Sequence, residues 1–369
     1  MHLVPPLRLL YFRQKLLRWH ERENKRQMPW KGEKDVYKIW LSEIILQQTR
    51  VEQGRDYYLK FITQFPKIQQ LAKAPLERVY KLWEGLGYYN RCKNLHHTAQ
   101  TVVREMGGKF PDTYEGLLGL KGVGPYTAAA IASFAYNLPH AVVDGNVYRL
   151  LSRFFGIAEP TDSKQGQALF HTLAQDCLHP QKAALYNQAI MDLGATVCKP
   201  DLPQCNICPL RRKCIAYEQD LVSELPYRTK QIQKRDRWFV FFSLHHNGQM
   251  AVRKREGKDI WHHLYELPHY EAGSQKDWEL FVKKEYKSWI SSHYGRSHSL
   301  LSFSAAYRQP LTHQHIHAVF IQLNLKQPLP HLRKNWQWVN PAARSRLAFP
   351  KIINQFLDTK EMMNKPADR

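Results

Sequence analysis

Apolar residues recur at three- and four-residue spacing through the first 217 positions. The runs Ile39–Glu52, Leu76–Trp83, Leu95–Met106 and Tyr126–Tyr136 carry this period, and turns at Gly85–Gly87, Gly107–Pro111 and Gly122–Pro125 divide them. An all-α first half is expected. Residues 218–235 turn charged and polar, with Glu218, Asp220 and Glu224 ahead of Arg228, Lys230, Lys234 and Arg235, and Arg237 just beyond, as in a linker. After them the period shortens. Trp238–Leu244 and His317–Leu325 are aromatic and β-branched runs, Met250–Val252 is a third strand after the turn at Asn247-Gly248, and Asp277–Tyr286 and Pro350–Leu357 keep helical spacing. The second half is expected to be α+β, and no internal repeat or low-complexity tract interrupts either half.

A chain of 369 residues is long enough for two or three domains, each with its own core, at about 150 residues per domain. Its 43% hydrophobic content excludes a disordered chain, and its length excludes a small disulfide scaffold. The charge adds a partner. Lys and Arg outnumber Asp and Glu by 54 to 32, and the surplus of 22 divides as +9 over residues 1–225 and +13 over 226–369. Both halves are thus suited to a polyanion, nucleic acid above all. No stretch approaches the roughly 18 apolar residues that span a bilayer, so no membrane partner is expected. Leu7 to Leu17 is interrupted by Arg8, Arg13 and Lys15, which fits a first amphipathic helix and not a signal peptide. Six cysteines without such a signal point to a reducing compartment, the cytoplasm.

Four of those cysteines, Cys198, Cys205, Cys208 and Cys214, follow C-x6-C-x2-C-x5-C. Thiolates so close in sequence can wrap one metal centre, either zinc or an iron–sulfur cluster, although zinc ribbons pair two C-x2-C knuckles and only one is present. Cys92 and Cys177 lie outside the spacing and suit packing. The spacing, at the end of an all-α region, resembles the iron–sulfur loop of the endonuclease III and MutY DNA glycosylases, which implies a [4Fe–4S] cluster. Arg211, Arg212 and Lys213 lie inside the loop, either as a solvated run or as contacts to backbone phosphate.

Leu120-Lys-Gly-Val-Gly-Pro-Tyr-Thr-Ala-Ala-Ala130 joins two helical patterns. Gly122 and Gly124 permit a tight hairpin, and Pro125 at a first helical position leaves neighbouring N–H groups free for a phosphate; alone, such a turn is only a turn. Twenty residues on, Val142-Val-Asp-Gly-Asn-Val-Tyr-Arg149 puts Asp144 ahead of a helical run. Asp144 is an N-cap candidate, and capping N–H bonds would keep its carboxylate ionised, as a group facing a developing sugar cation must be. The pair of segments resembles the helix-hairpin-helix glycosylase superfamily, which implies a catalytic role for Asp144. Tyr126 stands where the lyases of that superfamily carry a nucleophilic lysine, so a Schiff-base mechanism is disfavoured. Lys121 replaces the usual proline and is read as a phosphate contact, and the turn is expected to take a monovalent or divalent cation.

Met28-Pro-Trp-Lys31 leads into Ile39-Trp-Leu-Ser-Glu-Ile-Ile-Leu-Gln-Gln-Thr-Arg-Val51. Glu43 either faces inward, where desolvation raises its pKa as a general acid requires, or lies on the surface paired with Gln47. The segment resembles the MutY signature W-x-S-E-x-x-L-Q-Q-T-x-V. That resemblance implies that Glu43 protonates adenine, that Leu46 and Val51 line the base pocket with Trp30 and Thr49 beside them, and that Gln48 wedges into the duplex. Lys31 stands where the family commonly has arginine, so it lacks a bidentate fork. Gly85-Leu-Gly-Tyr-Tyr-Asn-Arg91 is similar to another family element, which makes Tyr88 an intercalating side chain; by themselves Tyr88 and Tyr89 equally suit a core. Tyr186-Asn-Gln-Ala-Ile-Met-Asp-Leu-Gly194 matches a further segment and implies that Gln188 touches the flipped base, while Asn146 and Tyr126 support the two carboxylates.

In the second half, Ile260-Trp-His-His-Leu-Tyr-Glu-Leu-Pro268 resembles W-x-G-L-W-E-F-P, which opens the family's Nudix-like domain, but no glutamate-rich hydrolase box follows. Leu311-Thr-His-Gln-His-Ile-His317 carries three alternate histidines, either projecting together from a strand or forming a metal site. It resembles the F-S-H loop that recognises 8-oxoguanine, with Leu311, Thr312 and His313 at the three positions. The resemblance therefore implies a multidomain protein: an all-α helix-hairpin-helix glycosylase domain at 1–217 with an iron–sulfur cluster loop, comprising one lobe at about 30–140 and another from 1–29 and 141–217. A linker at 218–235, a C-terminal α+β Nudix-like domain at 236–358 and a tail at 359–369 would follow. The implied partner is double-stranded DNA with 8-oxoguanine:adenine mispairs, bound by a monomer in the nucleoid-associated cytoplasm. An endonuclease III-like lyase acting on oxidised pyrimidines and a non-catalytic iron–sulfur DNA-binding protein are the two alternatives.

Overall fold

The computed structural model describes residues 5–229, 233–257, 259–295, 298–327 and 336–363. The chain packs as two units, Met1–Ala74 with Lys93–Gln231 and Pro75–Cys92 with Ile232–Arg369. Helices α1 (Pro6–Arg22), α2 (Val36–Leu46), α3 (Val51–Gln64), α4 (Ile68–Lys73), α5 (Leu76–Trp83), α6 (Tyr89–Glu105), α7 (Tyr114–Leu118), α8 (Pro125–Tyr136), α9 (Gly145–Phe155), α10 (Lys164–Cys177), α11 (Ala183–Thr196) and α12 (Ile215–Glu218), with short 3-10 turns at Pro180–Lys182, Cys205–Ile207 and Arg211–Lys213, account for the regular structure described up to residue 218. None of the described helices is long and apolar enough to cross a membrane.

The run Ile39–Glu52 is not one helix. It breaks after Leu46, because Gln48 adopts a left-handed backbone at φ 57°, and α3 starts afresh at Val51. Gly54 lets α3 pass close to the end of α2: a Cβ there would lie 2.6 Å from Leu46 Cδ2. Helix α2 is capped by Asp35, whose side chain accepts from Tyr37 N at 2.9 Å, and it buries Ile39, Trp40, Leu41, Ile44 and Ile45. Its neighbour α8 is rich in alanine, and the buried Ala128, Ala129, Ala130 and Ala132 let α2, α7 and α11 pack round it. Around α9 a second core forms, from Phe12, Leu16 and Trp19 of α1, Val147, Leu150 and Phe154 of α9, and Tyr186, Ile190 and Leu193 of α11.

The expected linker is fastened down over most of its length. Leu225 is buried and its carbonyl accepts from Arg153 Nε at 2.9 Å, Tyr227 O accepts from Thr161 N at 3.1 Å, and Thr229 N donates to Asp162 Oδ1 at 2.9 Å. The charges around Leu225 hide this anchor from a compositional reading. Arg235 and Arg237 belong to the first strand, where Arg237 is buried and paired with Glu271 at 2.6 Å and Asp259 at 2.8 Å. Lys230 and the last six residues of the expected tail lie outside the described residues.

In the second unit, β1 (Arg235–His246), β2 (Gln249–Lys254), β3 (Tyr265–Glu266), β4 (His269–Ala272), β5 (His298–Phe303), β6 (Tyr307–Pro310), β7 (Gln314–Leu325) and β8 (Trp336–Val339) form one mixed sheet in the order β3-β2-β1-β7-β5, with β4 also on β1, β6 on β7 and β8 on β2. The central pair, β1 and β7, is parallel, in register from Arg235 opposite Gln314 to His245 opposite Asn324, and the other pairs are antiparallel. Burial on both faces makes β1 a nearly continuous apolar run. One face packs Val240, Phe242 and Ile321 against Phe281 and Ile290. On the other, Phe320 stacks on Phe356 with ring centroids 4.2 Å apart. The helical stretch expected at Asp277–Tyr286 is α13 (Gln275–Leu280), a π turn at Phe281–Glu285 and α14 (Tyr286–Tyr294), and α15 (Pro341–Arg344) and α16 (Lys351–Met363) close the chain.

Candidate active site

A cavity of about 630 Å³ opens in the first unit between α2, the start of α9, α11 and the segment before α2. Glu43, Tyr126, Asp144, Asn146, Gln188, Trp30, Lys31, Leu46, Thr49 and Val51 all line it. The sequence scatters these residues over about 160 positions, and the fold brings them to one wall.

Glu43 is 6% exposed and is not a surface residue paired with Gln47, whose amide instead donates to Thr127 Oγ1 at 3.0 Å. Burial pushes its carboxyl up to about 7; the Tyr126 hydroxyl, donating to it, opposes this, and the Asp144 charge adds to it. Tyr126, enclosed with the two acids, is held well above an ordinary phenol. Asp144 is the N-cap of α9: Oδ1 accepts from Val147 N at 2.8 Å and Oδ2 from Asn146 Nδ2 at 2.7 Å. Those donors and the Arg149 charge pull its pKa down, but burial outweighs them and the net direction is upward. The two carboxyls still differ in kind. Glu43 receives one hydroxyl, whereas Asp144 receives a helix N-terminus, an amide side chain and a nearby guanidinium.

Two supports were not apparent from sequence. Arg149 Nη2 donates to Asn146 Oδ1 at 2.9 Å and Gly194 O at 2.6 Å, which fixes the Asn146 amide with its nitrogen toward Asp144. Gly194 lets α11 approach this turn, since a Cβ would lie 2.8 Å from Asn146 Cβ and 2.9 Å from Asn146 O. The signal for Arg149 was its place one helical turn beyond Asp144. Gly194 had none.

Gln48 and Tyr88, the two expected wedges, are exposed and both hold a left-handed backbone, at φ 57° and 50°. Non-glycine residues seldom adopt it, and such strain collects at functional sites. Within the second unit, Tyr88 shares a hydroxyl–hydroxyl hydrogen bond with Thr312, and the Arg91 guanidinium lies 5.4 Å from its ring centroid. Leu311, Thr312 and His313 form a turn closed by Leu311 N to Gln314 O at 2.7 Å, with Thr312 and His313 exposed. Of the three histidines, His315 and His317 lie at alternate positions within β7 and His313 just precedes it; His317 stacks on Trp238 at 3.9 Å and contacts Asp236 Oδ1 at 2.5 Å. In the hairpin, Gly122 uses φ 82° and packs against Asn94, while Gly124 is extended with open space where a Cβ would be, so only Gly122 needs glycine for its backbone. Lys121 is exposed and its carbonyl accepts from Thr98 Oγ1 at 2.7 Å.

Cys198, Cys205, Cys208 and Cys214 line one small cavity, unbridged and half-buried. Burial and the neighbouring thiols push Cys205 and Cys214 up and Cys208 to about 12. Among the described residues no three His, Cys, Asp or Glu side chains converge on a single ion. Around one zinc ion the sulfurs would be about 3.8 Å apart. Four thiols lining one cavity are a donor set that suits a metal centre, zinc or an iron–sulfur cluster. Cys92 and Cys177 are fully buried packing residues.

Residues 41–174 match the HhH-GPD superfamily of base excision DNA repair proteins, and residues 239–359 match the NUDIX domain. The chain is similar to adenine DNA glycosylase of Buchnera aphidicola subsp. Schizaphis graminum, 32% identical over 94% of this chain and 98% of that one. Adenine DNA glycosylase of Mus musculus is 45% identical over 56% of this chain and 42% of that one. Among solved structures, a thermostable thymine-DNA glycosylase superposes with a TM-score of 0.54 at 28% identity, covering 58% of this chain and 98% of that one.

Proposed function

The chain belongs to the adenine DNA glycosylase family of helix-hairpin-helix base-excision repair enzymes, and from that premise we propose that it is a monofunctional glycosylase that excises adenine mispaired with 8-oxoguanine, and with guanine, from duplex DNA. One observation carries the mechanism: two carboxyls, Glu43 buried and Asp144 half-buried, share a cavity, and their donor sets differ. Glycosidic cleavage needs an acid and an ionised carboxylate at one bond. Glu43, poised near 7, protonates the departing adenine at N7, and Asp144 faces the sugar as positive charge develops there. Tyr126 and Asn146 hold the pair. With Tyr126 where lyases carry lysine, that position offers no amine for a Schiff base.

Flipping adenine out costs a few kcal/mol, less for a mispair. Gln48 and Tyr88 fill the gap, and Leu46, Thr49, Val51, Trp30, Lys31 and Gln188 receive the base. Lys121, Gly122 and Gly124 bind backbone phosphate, with a cation at the turn. Cys198, Cys205, Cys208 and Cys214 would hold a [4Fe–4S] cluster, which supplies a structural cross-link. Exposed Arg211, Arg212 and Lys213 in that loop meet phosphate. The protein acts as a monomer in the nucleoid-associated cytoplasm.

Leu311, Thr312 and His313 read the 8-oxoguanine. Replacing Thr312 and His313 together by alanine should lower the preference for 8-oxoguanine over guanine opposite adenine about tenfold, the loss of one or two hydrogen bonds. Single-turnover rates on the two duplexes measure it, and an unchanged ratio would remove the loop from recognition.

A further inference from the structure

Behind the cavity wall sits Asp192, on α11 and 0% exposed. Its Oδ1 accepts from Arg26 Nη1 at 2.9 Å and Gln188 Nε2 at 3.0 Å, its Oδ2 accepts from Asn24 Nδ2 at 2.7 Å, and the Lys31 ammonium forms an ion pair with Oδ2 at 3.2 Å. Three donors and one further cation surround the roughly four lone-pair sites of the carboxylate. We propose that Asp192 is a specificity-determining positioning residue, which orients the Gln188 amide so that the site prefers adenine to a 6-oxopurine. The inference rests on the glycosylase reading above and extends it to base selection.

A carboxylate facing two cations has no proton to donate, so the Gln188 atom turned toward it must be the NH2 group. That leaves Gln188 Oε1, which accepts no bond from the protein among the described residues, for the cavity that Gln188 lines. A lone acceptor there complements the exocyclic amino group of adenine and opposes the O6 of hypoxanthine or guanine. Were the amide free to turn over, it would serve either base. Asp192 also tethers Lys31, whose Nζ lies 3.2 Å from its Oδ2 and donates to Arg26 O at 2.8 Å.

The test compares single-turnover release of adenine and of hypoxanthine, each opposite 8-oxoguanine, by the full-length cluster-containing protein. Asp192→Asn, isosteric but able to offer either atom, should lower the adenine-to-hypoxanthine rate ratio about tenfold, the scale of one mismatched polar contact. A purely structural loss would lower both rates together and leave the ratio unmoved. Gln188→Leu, with Asp192 intact, should show the same fall, and adding Asp192→Asn to it should change the ratio no further. An unchanged ratio in either single variant, or a further fall in the double variant, overturns the role of Asp192 while the glycosylase reading stands. A wild-type protein that releases no adenine overturns both.

Discussion

Glu43→Gln is expected to lower single-turnover adenine release about 10²–10⁴-fold, the range for removing a positioned general acid. The amide keeps the shape and can still accept from Tyr126, so packing is preserved and the lost function is the proton. The pH dependence separates this from a general defect. With Glu43 raised to about 7, the wild-type rate should fall as pH rises through 7, because only the protonated form is the acid. The variant should lack that limb. Stability should move the other way. The folded chain holds the Glu43 proton more tightly than the unfolded one, so the wild type loses stability as pH rises from 4.5 to about 7. Uncharged glutamine avoids that loss and should stabilise the protein by about 1–3 kcal/mol at pH 8, read by thermal melts. A variant that keeps wild-type rate and pH profile would exclude Glu43 as the acid.

Asp144→Asn should cost at least about 10³-fold in the same assay, since it removes a full charge where even one oriented donor is worth 10²–10³. Asparagine is a good N-cap, so α9 should persist and circular dichroism should change little. A smaller structural cost is expected beside it. Arg149 holds Asn146 with its NH2 toward residue 144, so an amide there sets donor against donor or surrenders the bond to Val147 N. That conflict should destabilise by about 1–3 kcal/mol. Retained excision, with the cap intact, would show that the charge of Asp144 is not needed at the sugar.

Much of this site was legible in the sequence because its signals are local. Asp144 announces a cap by preceding an amphipathic run, the acid in α2 stands among apolar residues, and the four cysteines fall within 17 positions. The parts that were missed act at a distance. Asp192 works through Arg26 and Lys31, more than 160 positions away, and Arg149 through the carbonyl of Gly194. The break between α2 and α3 was invisible because Gln47, Gln48 and Thr49 continue the helical period, and only the left-handed Gln48 ends it. Leu225 hid among charges, and the upward direction at Asp144 depends on burial that no spacing reveals. The histidines at 313, 315 and 317 alternate as a strand face should, and β7, which begins at Gln314, contains the latter two while His313 stands just ahead of it.

The central claim is that one cavity holds an acid and an anion that together cleave the bond to adenine and leave the strand whole. Single-turnover reaction with a duplex carrying adenine opposite 8-oxoguanine, followed across pH 5 to 9 for free adenine and strand integrity, tests it directly. The account predicts free adenine, an intact abasic strand, no borohydride-trapped protein–DNA adduct, and a rate that declines above about pH 7. No adenine release, or strand cleavage with a trapped adduct, would contradict it.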